Sequence, residues 1–269
     1  MKHAKPGINR GRFFTLFFFY CLFLPPAPAL GAVSDVLPEP SRKAEELSLG
    51  VAVSVSTSPY KSYTGQFSVF PLVSYEGRHA YIRGFTAGIK VVNLENLECS
   101  VFAGYDDSSF DASDTSDRRL RLLKDRYPGV VAGVAARVIT PYGVFQAGGA
   151  ADVSGQSSGI TGTFDFLLPL EYGPLEVIPS VGVRWNDRKY NNYYYGVSGN
   201  EAQRSGLDEY RSGSGFAPCL GLVLDYSITD NWEVFCHGEV AFLSHAVKDS
   251  PMVGNSRAQS LTLGVTYTF

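Results

Sequence analysis

The feature that most constrains the fold is a strict alternation of apolar and polar residues, clearest over the last positions of the chain, 259–269. One face of this stretch carries only apolar or aromatic side chains: Leu261, Leu263, Val265, Tyr267 and Phe269. The other face carries small or hydroxyl-bearing residues: Ser260, Thr262, Gly264, Thr266 and Thr268. A period of two over about ten residues predicts a β-strand with one apolar face. About ten residues of tilted strand is also the length that crosses the hydrocarbon core of a membrane.

The same alternation recurs upstream, first over residues 47–56 and then in further segments separated by polar loops. Nothing after residue 32 reads as a membrane-spanning helix, so the chain can enter a membrane only as a closed barrel, because lipid tolerates no open sheet edge. We therefore predict an all-β fold: a single-domain, antiparallel transmembrane β-barrel over residues 47–269. Twelve strands are expected if 80–84 and 87–92 are separate short strands, and ten is the alternative.

The amino-terminal residues 1–32 have the pattern of a secretory signal peptide. Four basic residues precede an apolar run at 13–24, and prolines and small residues follow it, so cleavage is expected after Ala29 or Ala32. A transmembrane helix is the alternative, but it needs roughly 20 apolar residues, more than this run offers. Residues 33–46, with two prolines and mixed charges, are expected to form a periplasmic lead-in without a core.

Charge and cysteine usage exclude several classes of function. The whole chain has 23 Lys and Arg against 26 Asp and Glu, and removing the signal peptide takes away only positive charges. The acidic balance of the mature chain argues against nucleic acid as a partner. Cys99, Cys219 and Cys236 have no CxxC spacing, which supports neither a disulfide framework nor a zinc site. No Gly-rich phosphate loop, HExxH or EF-hand pattern is present, so no cofactor or metal is expected.

Loop lengths predict the orientation of the barrel. Bacterial outer-membrane barrels have short periplasmic turns and long extracellular loops. Counting back from a periplasmic carboxyl terminus, the long segments 106–128, 187–214 and 244–257 all fall outside the cell. The short turns at 141–143, 172–174 and 229–231 all fall in the periplasm.

Charged residues on the polar side of the strands are predicted to line the lumen. They are of mixed sign: Lys90, Glu98, Arg137, Asp165, Arg184, Asp225, Glu233, His237 and Glu239. One interpretation is a narrow channel with electrostatic selectivity. The favoured interpretation is a salt-bridged interior that fills a small barrel and passes little, because small barrels are often filled by their own side chains.

An enzymatic function finds little support in the sequence. A hydrolase would need a nucleophile, a base and an orienting group within hydrogen-bond reach. The only candidates are Ser244 with His245, and His237 with Glu233 or Glu239, and none stands in a recognisable context such as GxSxG. The protein is therefore expected not to be an enzyme.

A resemblance to a known family rests on the second long loop and the strands that follow it. Residues 193–198 read Tyr-Tyr-Tyr-Gly-Val-Ser, and Glu201-Ala202 follows them. Further on, the segment 226–232 (YSITDNW) and the ending Tyr-Thr-Phe at 267–269 complete the pattern. These features resemble the MipA/OmpV family, also called the MltA-interacting protein family. The resemblance is clear over roughly 160–269 and mainly topological over 47–158; no family motif is found at 106–128.

The resemblance implies an outer-membrane β-barrel of a Gram-negative bacterium. It implies a non-enzymatic scaffold between a lytic murein transglycosylase and a bifunctional murein synthase, or a surface protein linked to adhesion. A passive pore for small polar solutes is the alternative from another class. Outer-membrane lipid and lipopolysaccharide are the expected surroundings. Tyr267 and Phe269 resemble the terminal signal that such barrels present to their assembly machinery.

The tyrosine-rich segment itself is open to two interpretations. Tyr193, Tyr194, Tyr195, Gly196, Val197 and Ser198 can form an extracellular recognition surface, since tyrosine is large and rigid with a polar tip. Alternatively, the loop folds inward and packs as a plug. Because the predicted orientation puts this loop outside the cell, any contact with a periplasmic enzyme would have to use the lead-in and the short turns.

Overall fold

A computed structural model describes residues 45–63 and 65–269; the predicted signal peptide and most of the lead-in lie outside the described residues. The wall is built from thirteen strand segments: β1 (Glu46–Ser56), β2 (Gln66–Glu76), β3 (Ala80–Arg83), β4 (Thr86–Asn93), β5 (Leu97–Asp106), β6 (Gly129–Thr140), β7 (Gly143–Asp152), β8 (Ile160–Leu167), β9 (Leu170–Tyr172), β10 (Leu175–Asn186), β11 (Gly215–Ser227), β12 (Trp232–Phe242) and β13 (Arg257–Thr268). The connections add a 3-10 turn at Leu120–Leu122 and the helices α1 (Arg188–Tyr195), α2 (Gly199–Ser205) and α3 (His245–Lys248). Within the described part of the chain, no helix has the length and apolar character needed to span a membrane.

The strands close into one antiparallel barrel. Each strand pairs with its neighbour along the chain, and β1 pairs with β13 from Ser48 opposite Thr268 to Ser56 opposite Ser260. β8 and β9 both pair with β10, so they occupy one position in the wall. Pro169 lies between them, and because it has no N–H it interrupts the ladder of hydrogen bonds at this position. The barrel therefore has twelve wall positions, which confirms the predicted strand count.

The short hairpin of β3 and β4 is the feature on which that count depended. The two strands are separate and turn at Gly84, whose φ of 55° suits a residue without a side chain. β3 pairs with only the last three residues of β2, from Ser74 to Glu76. Earlier in β2, Pro71 lies in the stretch that β3 leaves unpaired, where a residue without an N–H loses no ladder hydrogen bond.

The two faces of the wall differ as the alternation predicts. Along β1, Val51 is 45% exposed on the outer face, whereas Ser54 is 1% exposed on the lumen side. Successive side chains of a strand point to opposite sides of the wall. The apolar positions of the alternating sequence therefore collect on the outer face. This is the pattern of a barrel with lipid outside and polar groups inside.

The two ends of the barrel are unlike each other. The turn end carries the short connections 77–79, 94–96, 141–142, 173–174 and 228–231, together with the start of β1 and the carboxyl terminus. The loop end carries the long connections 57–65, 107–128, 153–159, 187–214 and 243–256. All three long loops singled out in the sequence thus share one end, as the loop-length argument expects.

Candidate functional site

The loop end is covered by a packed layer, which we call the cap: residues 57–63, 107–128, 187–214 and 243–256. Its largest buried cluster includes Tyr60, Phe110 and Tyr195, each at most 1% exposed. The ring of Tyr60 lies 4.8 Å from that of Phe110 and 5.7 Å from that of Tyr195, measured between centroids. Burial raises the pKa of Tyr60, whose hydroxyl donates to the carbonyl oxygen of Tyr194 at 3.1 Å. Segments far apart in sequence therefore form one core above the lumen.

Local sequence signals explain why helices form in the tyrosine-rich connection. Asp187 caps α1 by accepting a hydrogen bond from the Tyr190 amide at 2.8 Å. Ser198 and Glu201 form a capping box at the start of α2, and Gly206 ends it with φ of 68°. The sequence predicts only a long loop over 187–214, and the Ser-x-x-Glu spacing at 198–201 is the signal that could have revealed α2.

The six residues proposed for recognition are divided between the interior and the surface of the cap. Tyr194, Tyr195 and Val197 are at most 1% exposed, and Gly196 is also buried. The half-buried Tyr193 donates from its hydroxyl to Gln156 at 3.2 Å and accepts from the Tyr127 amide at 3.0 Å, and Ser198 is exposed. The buried members pack inside the cap, so they are not available as a recognition surface. Recognition by the remaining two stays a prediction.

An ion pair fastens two of the cap segments together. The guanidinium of Arg126 donates to Glu201 at 2.8 Å and to the carbonyl oxygens of Tyr193, Lys124 and Gly196 at 2.6, 2.7 and 3.3 Å. Burial by itself would raise the pKa of the Glu201 carboxyl, but hydrogen bonds from Ser198 and Arg126 outweigh it and hold the pKa at about 2. We call this contact the cap clamp.

Inside the barrel, one ion-pair network links β2 to β5. Arg83 contacts Glu76 at 3.1 Å and Glu98 at 3.5 Å, and its guanidinium lies 3.7 Å from the ring centre of Tyr81. Lys90 pairs with Glu76 and lies 3.6 Å from Glu98. Glu98 in turn stands opposite the fully buried Arg137 in the register of β5 and β6.

A second network crosses the opposite wall. Arg184 on β10 contacts Asp165 on β8 at 2.6 Å and Glu239 on β12 at 3.5 Å. The half-buried His237 lies two positions before Glu239 on β12. The two networks are joined through the register, because Arg137 stands opposite Gln146, which stands opposite Asp165. Charged and amide side chains thus form a belt across the lumen wall.

Carboxylates gather on the lumen side near the turn end. Glu176 stands opposite Asp225 in the register of β10 and β11, and Glu233 lies on the adjacent β12. All three are at most 3% exposed. Among the described residues, Asp225 Oδ1 and Glu233 Oε2 have no hydrogen-bond partner. This part of the lumen can attract cations, in contrast to the mixed belt above it.

The predicted assembly signal lies at the rim of the turn end. Tyr267 packs edge-on against Trp232, with ring centroids 5.1 Å apart, and against Phe269 at 4.9 Å. The Phe269 amide donates to the carbonyl oxygen of Leu47 at 3.0 Å, while its ring stays 69% exposed. The terminal ring is accessible, and its role in assembly stays a prediction.

Several charged residues of these networks were not singled out from the sequence. Glu76 is the last residue of β2 and lies on the same face as Ser74, so counting the alternation could have placed it in the lumen. Arg83 lies in a strand too short to show a period. Arg126 lies in a loop that matched no motif, so nothing local pointed to its partner Glu201.

Comparison with known proteins places these observations in a family. The family model described as MltA-interacting protein MipA matches residues 49–269. The MltA-interacting protein of Escherichia coli (strain K12) is 35% identical over 224 residues, which cover 83% of this chain and 90% of that protein. YiaT of the same strain is 31% identical over 229 residues, which cover 85% and 93% of the two chains. An outer membrane channel from Pseudomonas putida F1 aligns with 88% of this chain and 100% of its own, with 12% identity and a TM-score of 0.44.

Proposed function

The chain belongs to the MltA-interacting protein MipA family and is an outer-membrane β-barrel, and from this premise we propose that it is a non-enzymatic scaffold whose turn end holds murein-synthesis enzymes at the membrane. The partner class is a periplasmic murein transglycosylase, with a murein synthase as a further component. The relative in Escherichia coli is by its name an MltA-interacting protein, and its 35% identity extends over nearly its whole length.

The observation that carries the proposal is the packed cap over the loop end of the barrel, together with the ion-paired side chains of the lumen wall. The cap buries Tyr60, Phe110 and Tyr195 at one end, and the Arg184 network spans the wall below it. Packed rings in the cap and ion pairs in the belt below it engage many of the interior side chains with one another. A barrel with a packed cap and an ion-paired lumen wall is better suited to holding a protein partner than to conducting solutes.

The turn end is the surface available to a periplasmic partner. Long loops of outer-membrane barrels lie outside the cell, so the short turns and the start of β1 lie on the periplasmic side. The turns 77–79 and 94–96 present Arg78, His79 and Glu95 as exposed polar residues. These residues provide a polar rim of the kind that surrounds protein interfaces.

Two measurements on the full mature barrel test the proposal. In planar bilayers we expect no discrete conductance steps from the intact barrel. A variant in which 188–212 is replaced by a short Gly-Ser linker is the control, because a barrel without this part of the cap should conduct. The barrel is then used to capture a purified murein transglycosylase. Capture is expected to fail when the turns 77–79 and 94–96 are exchanged for Gly-Ser turns, and to persist in the cap variant. Conductance by the intact barrel without any capture would overturn the scaffold proposal.

A passive pore for small polar solutes is the second candidate. The observation in its favour is the charge of the lumen wall, with a mixed belt and the carboxylates Asp225 and Glu233 near the turn end. Such a pore would prefer cations, because the unpartnered charges near the turn end are negative. Steps in the bilayer experiment that shrink after Asp225→Asn would favour this candidate.

A further inference from the structure

A cavity lined by both charged and aromatic residues opens in the cap beside the clamp. Its volume is about 640 Å³, and it lies between α1, α2 and the segments 124–126 and 209–211. Cavities of roughly 300–1,000 Å³ are typical of small-molecule sites. This cleft therefore has the size of a ligand site, and it belongs neither to the lumen nor to the turn end.

The charges around the cleft are mostly positive. Five of its lining residues are Lys or Arg and three are Asp or Glu, whereas the whole chain has more acidic than basic residues. The carboxylates are already engaged: Glu201 with Arg126, Glu209 with Arg211, and Asp125 with the amide of Ala112. Three of the five cationic side chains have no hydrogen-bond or ion-pair partner among the described residues, and all three are exposed: Lys124, Arg188 and Lys189.

The remaining wall is partly aromatic, and hydrogen bonds hold the hydroxyls of its two tyrosines. Tyr193 is held at its hydroxyl by Gln156 and by the Tyr127 amide. Tyr210 donates from its hydroxyl to the carbonyl oxygen of Ala246 at 3.0 Å. The side chain of Asn192 is exposed beside them. Fixed aromatic rings with an amide suit the apolar faces and hydroxyls of a sugar, and the nearby cations suit an anionic group that it carries.

We propose that this cleft binds an anionic saccharide, with Lys124, Arg188 and Lys189 contacting its phosphate groups and Tyr193 and Tyr210 contacting its ring. The proposal goes beyond the scaffold function and does not rest on it, since the cleft and the turn end lie at opposite ends of the barrel. An anionic saccharide could reach this external surface from two sources. One is the phosphorylated core of the surrounding lipopolysaccharide, and the other is a free sugar phosphate.

Binding to the full mature barrel in lipopolysaccharide-free micelles tests the site. The probes are deacylated lipopolysaccharide, the same material after phosphatase treatment, and glucose 1-phosphate, each titrated calorimetrically. We expect the phosphorylated probe to bind and the dephosphorylated probe to bind about tenfold more weakly. Tighter binding of deacylated lipopolysaccharide than of glucose 1-phosphate assigns the site to the membrane's own glycolipid. The opposite order assigns it to a free sugar phosphate.

Two variants, each lacking two positive charges, distinguish the effect of the cleft cations on binding from the effect of the protein's overall charge. Arg188→Gln with Lys189→Gln removes two cations from the cleft, and Arg118→Gln with Arg204→Gln removes two exposed cations that do not line it. We expect the first variant to weaken binding about tenfold and the second to leave it unchanged. Equal loss in both variants, or equal binding of the phosphorylated and dephosphorylated probes, overturns the proposal. Heat-dependent gel mobility establishes that both variants fold.

Discussion

Replacing Arg184 by Met should destabilise the barrel strongly, because two buried carboxylates depend on this one guanidinium. Asp165 lies 2.6 Å and Glu239 3.5 Å from it, and the three side chains are 13%, 10% and 5% exposed in the order Asp165, Glu239, Arg184. Removing one partner of a buried ion pair costs about 3–5 kcal/mol, since the other charge remains without compensation. The residual exposure of the carboxylates favours the lower end, so we expect a loss of about 3 kcal/mol.

A set of companion variants isolates the cause of that loss. Glu239→Gln should cost about 1 kcal/mol, because its contact is the longer one and an amide still offers an oxygen to Arg184. Combining Arg184→Met with Asp165→Asn and Glu239→Gln should recover most of the loss, since no uncompensated charge is then left in the lumen. Arg118→Met is the control: this exposed arginine should change stability by less than about 0.5 kcal/mol.

Equilibrium unfolding in urea measures these differences. The barrel is refolded into detergent micelles, and the transition is followed by tryptophan fluorescence, for which Trp185 lies beside Arg184, and by the heat-dependent mobility of the folded band. Approaching the transition from both directions establishes equilibrium. If Arg184→Met stays within about 0.5 kcal/mol of the wild type at an unchanged slope, the ion-pair argument is wrong.

Three further predictions concern the cap, the turn end and the terminal residue. The pKa of Glu201 is about 2 in the folded chain against an ordinary 4.5, so the stability of the cap clamp with Arg126 is fully present above about pH 4.5 and is lost as the pH falls towards 2. Limited proteolysis within 199–211 should increase over that interval, and Glu201→Gln should make cleavage independent of pH. Asp225→Asn with Glu233→Gln should stabilise the barrel by about 1 kcal/mol in urea, because buried like charges are removed; a loss would contradict their unpartnered state. Phe269→Ser should lower the amount of protein in the outer membrane of cells while changing urea stability by less than about 1 kcal/mol, since the ring is 69% exposed; unchanged membrane levels would refute the assembly role.

The ion pairs on the lumen wall raise the question of why charged side chains are kept there at all. Buried ion pairs contribute little net stability compared with apolar side chains of equal volume, but they penalise wrong partners. In a barrel, a strand that slips by one residue turns its lumen face towards the lipid. Placing Arg184 or Glu98 in hydrocarbon would be far more costly than any lost contact, so these charges help to select one register.

The wall of the barrel was predictable because its signal is local. Each strand carries its own alternation, and from it followed the antiparallel barrel, the polar side of positions such as Glu98 and Arg184, and a count of twelve that depended on separating β3 from β4. Local signals were weaker where a strand was short, as at Arg83, or was interrupted, as at Pro169. In these places the period of two had too few residues to show itself.

Which segments of the cap meet was decided by the tertiary structure. Its clamp joins Arg126 to Glu201, 75 positions apart, and its core joins Tyr60 to Tyr194, 134 positions apart. Loops without a period carry no information on which of them will meet, because that depends on how the closed wall brings their ends together. The sequence by itself therefore determined what the wall is made of and which side faces lipid. Only the folded barrel decided that the tyrosine-rich segment packs into the core of the cap and leaves a basic cleft beside it.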